Sequence, residues 1–162
     1  MIEKWAIFDL DNTITDINDR LDAATNTQTG KLNYGLLHRN DLIEKYDKPI
    51  KTTIDLINNL AKFNTRILIL TARADSTRKT TIDWLTRNKV VYDSLIMKSD
   101  KDTYMKSFTW KEKKMKKFMD LHNISFEQIV LSCDDYGKNQ LMFESWGIPC
   151  LDPNNLYETT KK

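Results

Sequence analysis

Hydrophobic positions in this chain fall into runs separated by helical stripes. Trp5-Ala6-Ile7-Phe8 is an unbroken apolar run that climbs to Asp9-Leu10-Asp11 and stops. Such a run predicts a strand buried on both faces. Thr65 to Thr71 and Phe126 to Cys133 predict two more, the first ending in a hydroxyl and the second running into Asp134-Asp135. Between them the period changes to that of a helix. Ile50, Ile54, Ile57, Leu60 and Ala61 predict a helix to about Phe63, with Pro49 in its first turn. Further helices are expected over Ser76 to Asn88, Trp110 to His122 and Asn139 to Trp146. Short strands are expected over Val90 to Met97 and Ile148 to Leu151, and a frayed tail from Asp152.

Strands alternating with helices, and strands without polar alternation, imply a parallel sheet with helices on both faces. The expected fold class is α/β, a doubly wound, Rossmann-like sheet in one domain over residues 1–162. Residues 14–48 interrupt the alternation. They are too many for an ordinary strand-to-helix connection. The part through Gly30 is rich in Asn, Asp and Thr and reads as loop, whereas Leu36, Leu37, Ile43 and Tyr46 share a helical face within Tyr34 to Tyr46. This insertion is expected to form a small cap over the strand ends.

Composition then narrows the function. A chain of 162 residues can bury a core without staples, and a net charge of +2 does not mark the whole chain as a nucleic-acid binder. Cys133 and Cys150 each end an apolar segment and are expected to be thiols in a reducing, cytoplasmic setting. The first strand begins almost at once, which leaves no room for a signal peptide, and no apolar run is long enough to cross a membrane. The four glycines form neither a P-loop nor a dinucleotide fingerprint. His38 and His122 stand apart and are expected on the surface or on helices rather than at a metal.

The chemistry sits at the strand ends. In a parallel sheet Asp9, Asp11, Thr71, Asp134 and Asp135 would line one edge, where open α/β sheets bind ligands. Four carboxylates in one crevice repel one another unless a cation joins them. Oxygen ligands without His or Cys point to Mg2+. Eight lysines between Lys98 and Lys117 make either a solvated helix face or a basic patch for a nucleic-acid backbone. Trp110 among them reads as a base-stacking ring or as core.

This ordered set resembles the haloacid dehalogenase superfamily of phosphohydrolases. Asp9-Leu10-Asp11-Asn12-Thr13 is similar to its first motif, Thr71 to its second and Asp134-Asp135 to its fourth. Asn12 and Ala72 stand where that family usually has glycine. Asp11 to Arg20, Thr71-Ala72-Arg73 and Asp102-Thr103 with Lys111-Glu112 resemble more closely the 3′-phosphatase domain of bacteriophage polynucleotide kinase–phosphatase. The resemblance implies Asp9 as nucleophile, Asp11 as acid and base, and Thr71 and a lysine as phosphate-stabilising groups. Lys111 is the expected lysine, with Lys106 second. Asp9, Asp11, Asp134 and Asp135 would hold the metal, Asp11 through its backbone carbonyl. Arg20, Arg73 and Asn12 would serve the substrate. The implied activity is Mg-dependent removal of a 3′-phosphate from nucleotides or nucleic-acid ends. The rivals are a 5′-deoxynucleotidase and a non-catalytic binding module of the same fold.

Overall fold

In a computed structural model, residues 2–160 are described. β1 (Lys4–Phe8) leads into a ribbon strand, β2 (Thr15–Asp16). Three short helices follow: α1 (Asn18–Ala24), α2 (Tyr34–Leu37) and α3 (Asn40–Tyr46). β3 (Lys48–Pro49) then returns to α4 (Lys51–Lys62) and β4 (Thr65–Ala74). The second half runs through α5 (Arg78–Arg87), β5 (Ser94–Lys98), α6 (Ser107–His122), β6 (Ile129–Cys133), α7 (Gly137–Ser145) and β7 (Cys150–Leu151). A 3-10 helix, Pro153–Thr160, closes the described chain.

Five strands form one parallel sheet in the order β5-β4-β1-β6-β7. The chain winds outward from β1 through β4 to β5, then crosses back to β6 and β7. The winding direction therefore reverses between β1 and β6, the place where open α/β sheets leave a crevice. This is a doubly wound, Rossmann-like α/β fold.

Side-chain alternation along the strands builds two cores. Trp5, Ile7, Leu68 and Leu70 face α6 and α7, where Trp110, Met115, Phe118, Met142 and Phe143 meet them. Ala6, Phe8, Ile67 and Ile69 face α4 and α5, against Ile54, Ile57, Trp84 and Leu85. Burial on both faces explains why the sequence shows apolar runs instead of alternation. Trp110 is fully buried, so it belongs to the core and offers no ring for stacking. Cys133 and Cys150 are free thiols. Among the described residues, no helix is long and apolar enough to cross a membrane.

Several expected boundaries are corrected. The stretch through Gly30 is not all loop, since it holds β2 and α1. Tyr34 to Tyr46 is two helices, broken at His38 and Arg39. Pro49 lies in β3, not in a first helical turn, and α4 starts at Lys51. Phe126 to Gln128 coil as a 3-10 turn before β6, with Ser125 and Gln128 forming a reciprocal cap. The last strand is only Cys150–Leu151, and β5 begins at Ser94. Residues from Pro153 to Thr160 are helical, whereas Lys161 and Lys162 of the expected tail lie outside the described residues.

The 14–48 stretch leaves and rejoins the domain through a two-stranded stem. Thr15 pairs with Pro49 and Asp16 with Lys48, antiparallel, and the Ile50 N–H donates to the Ile14 carbonyl at 2.8 Å.

Candidate active site

β1 ends at Phe8, one residue before the first aspartate. The Asp9 N–H still donates to the Cys133 carbonyl of β6 at 2.9 Å, which pins Asp9 at the reversal point. The backbone then turns sharply. The N–H groups of Thr13, Ile14 and Thr15 all donate to the Leu10 carbonyl, at 3.1, 2.8 and 3.1 Å. Asn12 takes the left-handed conformation at φ 59°, which asparagine tolerates better than most residues. Its Oδ1 accepts from the Ile17 N–H at 3.3 Å.

That turn separates the two aspartates. Asp9, Asp134 and Asp135 bring carboxylate oxygens within 4.8 Å of one another. The Asp11 carboxylate lies outside that tight cluster, although all four carboxylates line one cavity.

Lys111 reaches the cluster from the first turns of α6. Its ammonium donates to Asp9 Oδ1 at 2.7 Å and to Asp134 Oδ2 at 2.8 Å, and it is buried. Lys106, the N-cap residue of the same helix, lines the cavity mouth without touching the carboxylates. Thr13 Oγ1 donates to the other oxygen of Asp9 at 3.3 Å. Asp134 also accepts from the Tyr136 N–H at 3.0 Å and from Asn139 Nδ2 at 3.2 and 3.1 Å.

Electrostatics follow from this crowding. Burial first, then Asp134 and Asp135, push Asp9 well above the usual carboxylate range, against the pull of Lys111. Burial and Asp134 also raise Asp135. Burial opposes the charge on Lys111, but Asp9 and Asp134 outweigh it and hold the ammonium well above its ordinary value. One ammonium against three carboxylates leaves the site short of positive charge. Asn139 Oδ1 is buried beside them with no partner. A hard divalent cation fits that set of donors.

A second network lies beyond Asp11. β4 and β5 slip register between Thr71 and Ala74. Such a bulge re-aims side chains, and here Arg73 turns toward Asp11. Arg73 donates to Asp11 Oδ1 through Nε at 3.1 Å and again through Nη2, to Asp47 Oδ2 at 2.7 Å and to Thr81 Oγ1 at 3.3 Å. Arg20, on α1, donates to Asp47 Oδ1 at 2.7 Å, Asp11 Oδ1 at 2.9 Å and the Leu37 carbonyl at 2.7 Å. Both guanidiniums and Asp47 have fully buried side chains. Burial pushes Asp11 up, but Arg73 and Arg20 prevail and hold it below its usual range. For Asp47 burial wins, and it sits above its usual range.

A cavity of about 610 Å3 opens over both networks, lined by Asp9, Asp11, Asn12, Thr71, Arg73, Lys111, Asp134 and Asp135 among others. Arg20 does not line it. The arginine expected to meet substrate is instead an internal strut of the 14–48 stretch. Thr71 Oγ accepts from the Arg73 N–H at 3.1 Å, leaving its proton to donate.

Three residues of the site were missed. Asp47 carries no local signal, being a single aspartate before Pro49. His38, expected on the surface or on a helix, caps the end of α2 and lines the cavity, where burial, with Arg20, Arg73 and Lys98 against Asp11, keeps it below its ordinary value. Asn139 did carry a signal: a polar residue three and four positions before Met142 and Phe143 shares their buried face. The eight lysines do not form one patch. Lys111 is buried, Lys98 donates to the Met105 carbonyl, Lys114 pairs with Asp102 and Lys116 with Glu112.

No protein-family model matches the chain, and no curated protein matches it in sequence. Its structural neighbours are phosphatases and hydrolases of the haloacid dehalogenase superfamily, and its fold is theirs. Two structures of the Pnkp1/Rnl/Hen1 complex, one titled an RNA repair complex, match with a TM-score of 0.66 at 19% identity over 93% of this chain. This chain spans 46% and 42% of those chains. A predicted phosphatase from Clostridium acetobutylicum matches with a TM-score of 0.68 at 12% identity, covering 94% of this chain and 85% of that one. An enzyme of the same superfamily from Bacteroides thetaiotaomicron, in complex with magnesium and inorganic phosphate, matches with a TM-score of 0.58 at 10% identity over 93% of both chains.

Two outcomes test the networks. Asp47→Asn leaves two buried guanidiniums facing one carboxylate and should cost about 3–5 kcal/mol in urea unfolding. Arg20→Met combined with Asp47→Leu removes a matched pair and should recover most of that loss. Asn139→Ala removes a donor that orients Asp134. It should weaken Mg2+ binding, read by calorimetry, by about 10–100-fold.

Proposed function

We propose that this chain is a magnesium-dependent phosphomonoesterase that hydrolyses the 3′-phosphate of nucleic-acid ends or nucleotides through an aspartyl-phosphate on Asp9. The observation that carries the reading is Asp9 itself. It lies at the reversal point of the sheet, one oxygen on Lys111 and the other on Thr13, in a cavity wide enough for a nucleotide. The fold shared with phosphatases supports the reaction class. The likeness to the RNA repair complex supports a nucleic-acid end as substrate.

Mg2+ held by Asp9, Asp134, Asp135 and the Asp11 backbone carbonyl would supply the charge that lets a phosphate dianion approach these carboxylates. Asp9 attacks phosphorus, forming its own bond to phosphorus as the bond to the ribose oxygen breaks. Lys111 keeps Asp9 oriented and balances charge as the phosphoryl group arrives. Thr71 gives its proton in a hydrogen bond to a phosphoryl oxygen.

Asp11 needs a proton for the first step and must lose it for the second. Held by two guanidiniums, it is ionised before substrate enters. A phosphate dianion beside Arg73 competes for that guanidinium and adds negative charge near Asp11. Both effects raise its affinity for a proton. It then protonates the leaving oxygen and afterwards takes a proton from the water that cleaves the aspartyl-phosphate. Arg73 is the phosphate-facing arginine. Arg20 acts behind it by holding Asp11 and Asp47, and Asn12 shapes the turn at the cavity wall.

Asp9→Asn should release no phosphate from any substrate while keeping the wild-type unfolding transition; undiminished turnover would sink the nucleophile assignment. Across 3′-phosphorylated oligonucleotides, 3′-mononucleotides and 5′-mononucleotides, kcat/KM should favour the 3′-phosphates. A clear preference for 5′-monophosphates would assign the chain to the 5′-deoxynucleotidases instead.

A further inference from the structure

The catalytic cavity does not end at its own rim. A second depression of about 370 Å3 shares Lys106, Ser107 and Tyr136 with it. A third, of about 270 Å3, shares Phe108 and Lys138 with the second and adds Leu141. The three make one groove leading from the carboxylates along the crease between the start of α6 and α7. No residue of the 14–48 stretch lines the second or third depression.

The chemistry of the groove differs from that of the cavity. Tyr136 directly follows Asp135, and its N–H is bonded to the Asp134 carboxylate, so its backbone is tied to the catalytic cluster. Tyr136 as a whole is 47% exposed. Phe108 is half-buried against the core and Leu141 is exposed. Lys106, at the start of α6, and Lys138, on α7, are exposed and form no ion pair among the described residues, unlike Lys114 and Lys116 further along α6. Glu112, at the far end, is already held by Lys116.

We infer that this groove binds the 5′-ward part of a single-stranded nucleic acid whose terminal 3′-phosphate sits at Asp9. The inference rests on the phosphomonoesterase reading of that cavity. An exposed ring beside an apolar floor suits base stacking, which tolerates any sequence. Two cations without counter-charges suit the backbone phosphates that a strand places along its path. A peptide would leave those two charges unused. The groove departs from the cavity where the 14–48 stretch is absent, so a polymer end enters without threading beneath it.

The test compares a 3′-mononucleotide with a 3′-phosphorylated hexanucleotide. The readout is the ratio of their kcat/KM values, so a general loss of activity in a variant cancels. The ratio should favour the hexanucleotide by about fivefold or more, and Tyr136→Ala should cut it by a similar factor. Lys138→Ala should reduce the salt dependence of the hexanucleotide reaction by about 0.7 in log–log slope. A ratio near one, or a ratio and salt slope untouched by both variants, overturns the inference.

Binding read without turnover separates this inference from the catalytic one. Anisotropy of a labelled hexanucleotide with a free 3′-hydroxyl should show binding that weakens in Tyr136→Ala. Strand binding by the wild-type protein that is lost in Tyr136→Ala, together with no phosphate released by the wild-type protein from any substrate, supports the groove and sinks the phosphatase reading. Phosphate release from the mononucleotide, with no strand binding, does the reverse.

Discussion

The structure depends on how one buried ammonium is shared among carboxylates. Lys111 sits between Asp9 and Asp134, out of water, and Asp135 adds a third negative charge nearby. Removing such charges from water costs several kcal/mol each unless every lone pair finds a partner. Much of the surrounding architecture meets that demand. The reversal of winding between β1 and β6 brings Asp9 and Asp134 to adjacent strand ends. α6 enters at the angle that delivers Lys111, with Trp110 buried beside it as anchor. Asn139 and the Tyr136 N–H complete the shell of Asp134. What stays unmatched is charge, and that deficit is what a divalent cation would fill.

Asp11 belongs to a different balance. Arg20, Arg73, Asp11 and Asp47 form a matched set of two cations and two anions, joined by short hydrogen bonds and largely out of water. Arg73 comes from the bulge in β4, Arg20 from α1, and Asp47 from the point where the chain turns back into β3. The set therefore ties the 14–48 stretch to the sheet through the Asp11 carboxylate. Movement of that stretch would alter the charge around Asp11, and a phosphate beside Arg73 would alter the hold on that stretch. Neither influence reaches Asp9 directly, because the turn at Asn12 sends the two carboxylates apart.

The sheet was legible because burial on both faces leaves unbroken apolar runs, as in Trp5 to Phe8 and Thr65 to Thr71. The strand ends were legible too, since Asp9, Thr71 and Asp134 each follow such a run. α1 was not. Its buried residues are Arg20 and Ala24, and a helix whose inner face carries an arginine shows no apolar stripe. The burial of Arg20 requires Asp47, 27 residues away along the chain. No window of local sequence contains that pairing. The parting of Asp11 from Asp9 was not legible either, because β1 stops at Phe8 and the left-handed turn at Asn12 follows it. Of the two readings left open for the lysines, the single basic patch fails, because composition counts charges without their partners. Lys114 and Lys116 are neutralised by Asp102 and Glu112, one of them in a different element.

The two sides of the cavity impose opposite demands on a ligand. Toward the 14–48 stretch the wall holds His38, held below its ordinary value by burial and its cationic neighbours against Asp11, and Arg73, already committed to Asp11 and Asp47. This side offers directional contacts but little spare charge. Toward α6 and α7 the wall offers the exposed Tyr136 and two lysines without an ion pair among the described residues, with shallow depressions in place of a closed pocket. A small ligand would gain little from that second side, since an open surface excludes water poorly and its cations would be screened. A ligand long enough to span both sides gains from each at once, with the second contact made intramolecularly after the first. The asymmetry of the walls thus favours a ligand long enough to reach from the carboxylates to the crease between α6 and α7, as the proposed strand would be.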